Sequence, residues 1–441
     1  MSFGLLTDAT ASITVVGARV IDPSEGTDAV RDVAVVDGRI SAEADPSAER
    51  IDGRGLVLAP GLCDLHTHLR EPGGETAETV ASGTRAAARG GFTTVCAMPN
   101  TDPPLDSAAS VAAGASVDGA CRVRVIGAAT VGRSGSEPAD FDSMSRAGAV
   151  AFSDDGSAVA ERSTAHRVFT ALAGLGLPLF EHAEDPELAG DGVMREGPMA
   201  LRLGLPGWPV EAEVRVVERD IALAEETGAR LHVTHLSTAA GVSAIRDARA
   251  RGIAVTCDVT PHHLAMTDAW VAGSRQFAWQ EQDGSPQLAY DGSCRVNPPL
   301  ASCEDALELL AGVADGTVDA IATDHAPHSI DRKLVPFDEA APGLIGLETA
   351  LSLGLAAVGS GRLELGELIA ALTTRPAAII GEARSLAVGA PADLVLFDPD
   401  ARWRVDPAAL ASASSNTPLL GMELPGVVRL TVADGRVTYW S

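Results

Sequence analysis

Residues 57–66, VLAPGLCDLH, form a short and nearly unbroken apolar run that ends on an acid and a histidine. The pattern recurs seven times along the 441-residue chain: FTTVCAMPN (92–100), VRVIGAAT (123–130), AVAFSDD (149–155), LPLFEH (177–182), ARLHVTHL (229–236), IAVTCDVTPH (253–262) and VDAIATDH (318–325). Ala-rich stretches with helical spacing separate several of these runs, clearly at 78–90, 164–175, 211–227 and 240–251. A continuous apolar strand is buried on both faces, and strands that alternate with helices belong to a parallel sheet. Eight such units predict an α/β fold, a (β/α)8 TIM-like barrel with its functional groups at the C-terminal strand ends.

The chain ends read differently. ITVVGARVID, VAVVDGRI and GLVLAP near the start, and ADLVLFDP (392–399) and VVRLTVADGRVTYW (427–440) near the end, are β-rich stretches with Asp-Gly punctuation, which is hairpin patterning. VAVVDGRI and LTVADGRV echo one another. We expect residues 1–60 and 385–441 to build one small β-sandwich module from both termini, with residues 61–384 forming the catalytic barrel. The stretch 273–293 fits neither period and is expected to be an extended loop before CRVNPP.

Composition narrows the function. Thirty-three basic residues against 60 acidic ones give a net charge of −27. Such a chain lacks the clustered cations that nucleic acid requires, and anionic membranes would repel it. No basic leader and no apolar run of about 18 residues is visible, and six scattered cysteines without a C-x-x-C pair suit a reduced, cytoplasmic setting. Of the basic residues only Lys333 is a lysine.

Nine of the ten histidines fall at or near the strand ends, and only His166 reads as a helix-surface residue. The ends carry Asp64, His66 and His68; Asp154 and Asp155; Glu181 and His182; His232 and His235; His262 and His263; Asp324, His325 and His328. A buried imidazole without a partner costs free energy, so packing does not account for so many at one rim. A metal site does. Imidazole and carboxylate ligands without cysteine pairs suit zinc in an open catalytic site, with manganese or cobalt as substitutes. His66 and His68 share a strand face at period 2 and can grip one ion. Four histidines and two carboxylates exceed the needs of one tetrahedral ion, which suggests two metals about 3.5–4 Å apart. His232, His262 and His263 read as packing or supporting residues, and Cys63 and Cys96 as small core residues.

DLHTHLREPG (64–73), AMPNT (97–101), FSDDG (152–156), EHAED (181–185), THLS (234–237), VTPHHL (259–264), NPPL (297–300), ATDHAPH (322–328) and GLET (346–349) appear in that order. Together they resemble the class I, bacterial-type dihydroorotases of the amidohydrolase superfamily, over nearly the whole chain. The resemblance implies a zinc enzyme that reversibly cyclises N-carbamoyl-L-aspartate to L-dihydroorotate in pyrimidine biosynthesis. It implies His66, His68 and Asp324 as ligands of one zinc and His182 and His235 of the other, with Asp155 and a hydroxide as bridges. Choosing Asp155 over Asp154 rests on the resemblance, because strand parity leaves both open. Asp324 would be the proton-transferring catalytic group. His68, Arg70, Asn100, Asn297, His328 and the backbone at Pro342 and Gly343 would contact substrate.

Hydantoinases, allantoinases and mammalian-type dihydroorotase domains bridge their metals with a carbamylated lysine from the fourth strand. Lys333 lies too late in the chain for that role, which favours the carboxylate bridge. The alternatives are a hydantoinase- or allantoinase-type cyclic amidase and a non-catalytic scaffold for aspartate carbamoyltransferase. A homodimer, in association with that transferase or alone, is the expected assembly. Two departures stand out: Ala301 follows NPPL where the family pattern has arginine, and the 273–293 stretch is long for the family.

Overall fold

The structure, a computed structural model, describes residues 10–281 and 288–441. Eight strands follow one another in a single parallel sheet: β1 (Leu62–Thr67), β2 (Phe92–Ala97), β3 (Arg122–Ala128), β4 (Ala149–Ser153), β5 (Leu179–Glu181), β6 (Leu231–Val233), β7 (Val255–Val259) and β8 (Ala320–Ile321). A parallel bridge between Thr67 and His325 joins the two edges. Asp64 adds to the closure by accepting hydrogen bonds from the backbone N–H and the hydroxyl of Thr323. Each of the eight apolar runs supplies one barrel strand. β5, β6 and β8 are only three, three and two residues long, so the barrel is distorted.

The inside of the barrel is a packed cluster and not a channel. Cys63 and Leu65 of β1, Cys96 of β2, Ile126 of β3, Ala151 of β4, Phe180 of β5 and Ala320 of β8 pack together with Ile379 and Ile380 of the helical C-terminal segment. The helices expected from spacing lie at Val80–Arg89, Arg162–Ala173, Glu211–Thr227 and Ala239–Ala250. Helix Val80–Arg89 starts at a reciprocal capping box between Thr79 and Ser82, which satisfies two otherwise orphaned N–H groups. Among the described residues no helix is long and apolar enough to cross a membrane.

The two chain ends meet in a second, mixed eight-stranded sheet. Its order runs Arg436–Trp440, Glu423–Ala433, Leu394–Arg404, Val57–Pro60, Ile13–Asp22, Thr27–Val36 and Arg39–Ser41, with Glu49–Asp52 pairing beside Ile13–Asp22. Val15, Val33, Leu58, Leu394 and Leu430 share its core. The run 57–66 therefore divides at Gly61: its first four residues complete the terminal sheet, and the rest opens the barrel. The sequence echo has a spatial counterpart. Asp37-Gly38 (φ 50° and 75°) and Asp434-Gly435 (φ 50° and 75°) make equivalent tight turns, the conformation that favours Asp-Gly. The two turns touch; a Cβ on Gly38 would come within 3.0 Å of Gly435 Cα.

Candidate metal centre and substrate pocket

The C-terminal ends of β1, β4, β5, β6 and β8 deliver His66 and His68, Asp155, His182, His235 and Asp324 to one buried point. Asp155 lies at the centre. Its Oδ2 is 3.3 Å from His66 Nε2 and 3.5 Å from His68 Nε2. Its Oδ1 is 3.4 Å from His235 Nε2 and 3.6 Å from His182 Nδ1. Asp324 Oδ1 faces the first pair, 3.0 Å from His68 Nε2 and 3.5 Å from His66 Nε2. His182 Nδ1 and His235 Nε2 are 3.0 Å apart. The neighbouring Asp154 points away: one of its oxygens accepts from the N–H groups of Ala129 and Thr130, the other from the Thr130 hydroxyl.

The backbone is bent to present these groups. Among the described residues seven non-glycine positions have positive φ, and three of them are Arg70 (60°), His235 (37°) and Asp324 (45°). Side chains rarely adopt this region without a surrounding structure that enforces it, and such positions cluster at functional sites.

The electrostatics call for a cation. Both ring nitrogens of His66, His235 Nδ1 and Asp155 Oδ1 are buried without a hydrogen-bond partner. Leaving such groups bare costs about 1–3 kcal/mol each. Burial opposes charge on His66, yet Asp155 and Asp324 drive its pKa up to about 9. Burial likewise opposes charge on His182, while Asp155 and Glu184 push it up to about 10. In turn, burial would raise Asp155 and Asp324, but the facing imidazoles hold both below the usual carboxylate range. Two triads, His66–Asp155–His235 and His66–His68–Asp324, have ligand atoms within 4.8 Å of one another. His68 Nδ1 lies 2.8 Å from Asn100 Oδ1 and its Nε2 3.0 Å from Asp324 Oδ1; donation from Nδ1 to Asn100 would leave Nε2 free to hold an ion. The donor set fits metal ions.

A cavity of about 250 Å³ opens over the cluster. It brings together the remaining candidates: Arg70, Asn100, Asn297, His328, Pro342 and Gly343 all line it. Arg70 Nε donates to Pro327 O at 3.2 Å, and its guanidinium faces His328. His328 Nε2 donates to Pro342 O at 2.7 Å. Burial, and then Arg70, push His328 down to about 3, so it is a neutral donor at physiological pH. Arg332 also lines the cavity and escapes the sequence reading.

The comparisons with known proteins agree with this geometry. A family model described as dihydro-orotase-like matches residues 55–240, and an amidohydrolase family model matches residues 348–439. The dihydroorotase of Anaeromyxobacter sp. (strain K) is 48% identical over 432 residues, covering 96% of each chain. The dihydroorotase of Trichlorobacter lovleyi is 41% identical over 437 residues, covering 97% of this chain and 99% of that one. The chain belongs to the dihydroorotase family. Among solved structures, an L-hydantoinase (dihydropyrimidinase) from Arthrobacter aurescens is similar with a TM-score of 0.83 at 26% identity, covering 98% of this chain and 96% of that one.

Within this dihydroorotase-family barrel His232, His263 and His325 bond to neighbouring groups outside the cluster. His232 Nε2 lies 2.8 Å from Asp258 Oδ2, and Asp258 Oδ1 accepts from the N–H of His235 at 2.7 Å. His263 Nδ1 bonds the Thr260 hydroxyl, and its Nε2 donates to Pro298 O. His325 Nε2 lies 3.2 Å from Glu78 Oε2. His262 is buried with Nε2 unpartnered, and burial lowers it to about 4. His166 sits half-exposed on its helix near Glu226, as expected. Cys63 and Cys96 are core residues, and burial lifts the Cys63 thiol to about 12, so it offers no nucleophile. Two supports were invisible in the sequence. Asp258 is a buried acid in the middle of an apolar run. Glu184 stands 3.8 Å from His182 Nε2 and accepts from Trp208 Nε1 at 3.0 Å. Ala301 is buried among Ala278 and Ala306, so that site has no room for an arginine side chain. Part of the 273–293 stretch, residues 282–287, lies outside the described residues.

Proposed function

We propose that the protein is a zinc-dependent dihydroorotase that interconverts N-carbamoyl-L-aspartate and L-dihydroorotate in pyrimidine biosynthesis. The observation that carries the reading is the division of Asp155 between two imidazole pairs, beside a pocket lined by Arg70 and Asn100. His66, His68 and Asp324 would hold one zinc, His182 and His235 the second, with Asp155 shared between them. When bound, the ions act as Lewis acids that acidify water and polarise the ring amide carbonyl.

The chain's own residues supply the rest. Arg70 offers a planar fork to the substrate carboxylate, and Asn100 and neutral His328 add polar contacts. That local cation offsets the repulsion an anionic substrate meets from a chain of net charge −27. Asn297 and the backbone at Pro342 and Gly343 close the pocket around the ring. Asp324 takes a proton from the attacking water and delivers it to the departing ring nitrogen, and ring closure runs the same transfer backwards.

No lysine stands near the cluster, and Lys333 is bonded to backbone carbonyls instead, which supports a carboxylate bridge over a lysine carbamate. An assay with dihydroorotate and a hydantoin side by side tests the reading. Turnover of dihydroorotate is expected, and turnover of the hydantoin alone contradicts it. The reading extends to a cytoplasmic homodimer, whose mass in solution would be twice the 45.1 kDa of the chain.

A further inference from the structure

We propose that Lys333 is a positioning residue of the substrate pocket: its ammonium group ties together the two backbone segments that form one wall of that pocket. The kinetic part of this inference rests on the dihydroorotase reading, whereas its structural part does not.

Lys333 ends the short helix Ile330–Lys333 and is 4% exposed. An ammonium group carries three donors and no acceptor. All three are used on carbonyls: Ala341 O at 2.7 Å, Gly343 O at 2.8 Å and Arg295 O at 3.2 Å. Ala341 and Gly343 bracket Pro342, and all three line the pocket over the metal cluster. Arg295 lies two residues before Asn297, on the opposite segment of the same wall. Gly343 N–H donates to Arg295 O at 2.8 Å, so the ammonium reinforces an existing link between the segments.

The wall has little slack. Gly343 has φ +130°, and a Cβ there would meet Ala326 Cβ at 2.6 Å and His328 Nε2 at 3.1 Å. His328 donates to Pro342 O, so a shift of 341–343 moves this pocket residue as well. Among the described residues no carboxylate lies within ion-pair distance of Lys333; carbonyl dipoles make its direct contacts, and Asp291 acts on it only from farther away. Cys294, Arg295 and Asp291 are the ionisable groups that face it, and burial is the main cause of a pKa lowered to about 7. A buried cation without a counter-ion is expensive, and apolar replacement of buried charges is often neutral or stabilising. A residue kept only for stability has little reason to be a lysine here. Loss of the amine would leave Arg295 O with Gly343 N–H and Gly343 O with Asn416 Nδ2, so the fold has substitutes while the wall loses its clamp.

Lys333 also lines a second cavity of about 610 Å³ beside the pocket, which gives small amines a path to its place. The test uses Lys333→Met and Lys333→Ala in the full-length, zinc-loaded protein. Zinc content and thermal midpoint are expected to stay close to wild type. KM for dihydroorotate should rise about tenfold, the scale of one lost hydrogen bond of a charged group, with kcat changed far less. Backbone amides of the 338–346 segment should exchange hydrogen faster. Ethylammonium should reverse both effects in Lys333→Ala, and tetramethylammonium, which has no donor, should not. Wild-type KM and wild-type exchange in both variants would overturn the proposal. So would a collapse of stability with no rescue by ethylammonium. If the wild-type protein fails to turn over dihydroorotate, the functional reading falls, and the exchange and rescue data still decide the role of Lys333.

Discussion

Asp155 gives one carboxylate oxygen to His66 and His68 and the other to His182 and His235. Removing it should separate the halves of the site. Asp155→Ala and His66→Ala are each expected to lower bound zinc well below two equivalents and to abolish turnover; metal analysis of the purified variants checks this. Arg70→Ala should act on binding. A lost charged hydrogen bond is worth about 1.5–3 kcal/mol, so KM should rise roughly 10- to 150-fold while kcat falls less. Asp324→Asn should act on turnover, lowering kcat by about 10²–10⁴-fold, the usual worth of a positioned acid–base group. Lys333 permits a pH test. Its pKa is about 7 when folded against an ordinary 10.5, so between these values the unfolded chain binds the extra proton and stability rises with pH. The methionine variant lacks that slope. Denaturant titrations of both proteins from pH 7 to 10 should therefore show wild type gaining on the variant as pH rises. At this scale the six candidate ligands were legible because His or acid recurs at six of the eight strand ends and because the motifs around them resemble one family. The choice between Asp154 and Asp155 was not, because it depends on which carboxylate the loop from β3 captures.

The strands were readable for a physical reason: a parallel strand covered on both faces must be apolar throughout, and that signal survives in single sequences. Residues 57–66 read as one apolar run because both halves are buried and neither sheet leaves a polar face to mark the change; the expected boundary between residues 60 and 61 falls where the two strands part. The supports of the site were hidden for a related reason. Asp258 lies inside the run that forms β7, and its partners His232 and His235 are on and just after β6, so nothing local reveals the pairing. Asp258→Asn keeps an acceptor for only one of its two donors and turns an NH2 towards the other, while leaving the strand intact. Its expected result is a 10- to 100-fold loss of affinity for the second zinc, the range typical of groups that orient a ligand, measured by competition with a chromophoric chelator. Unchanged zinc affinity would show that β6 holds His235 without this brace.

The whole molecule places a buried cluster of four imidazoles and two carboxylates at one mouth of a barrel and adds a separate sheet made from both ends of the chain. The repeated Asp-Gly turns, 37–38 and 434–435, are the part of that union the sequence showed directly, because turn chemistry is local even when the contact is not. A cluster that gathers two buried carboxylates is unfavourable without cations, so ligand ions that bind the folded state should stabilise it. Chelation is expected to lower the thermal midpoint by several degrees and to abolish activity, with zinc restoring both. Metal analysis and dihydroorotate hydrolysis, measured on the same preparation, decide whether this cluster is a working binuclear centre. Close to two zinc equivalents per chain are expected, with turnover that rises and falls with that content. A protein that holds no metal when zinc is supplied, or that holds two equivalents and leaves dihydroorotate untouched, would contradict that expectation.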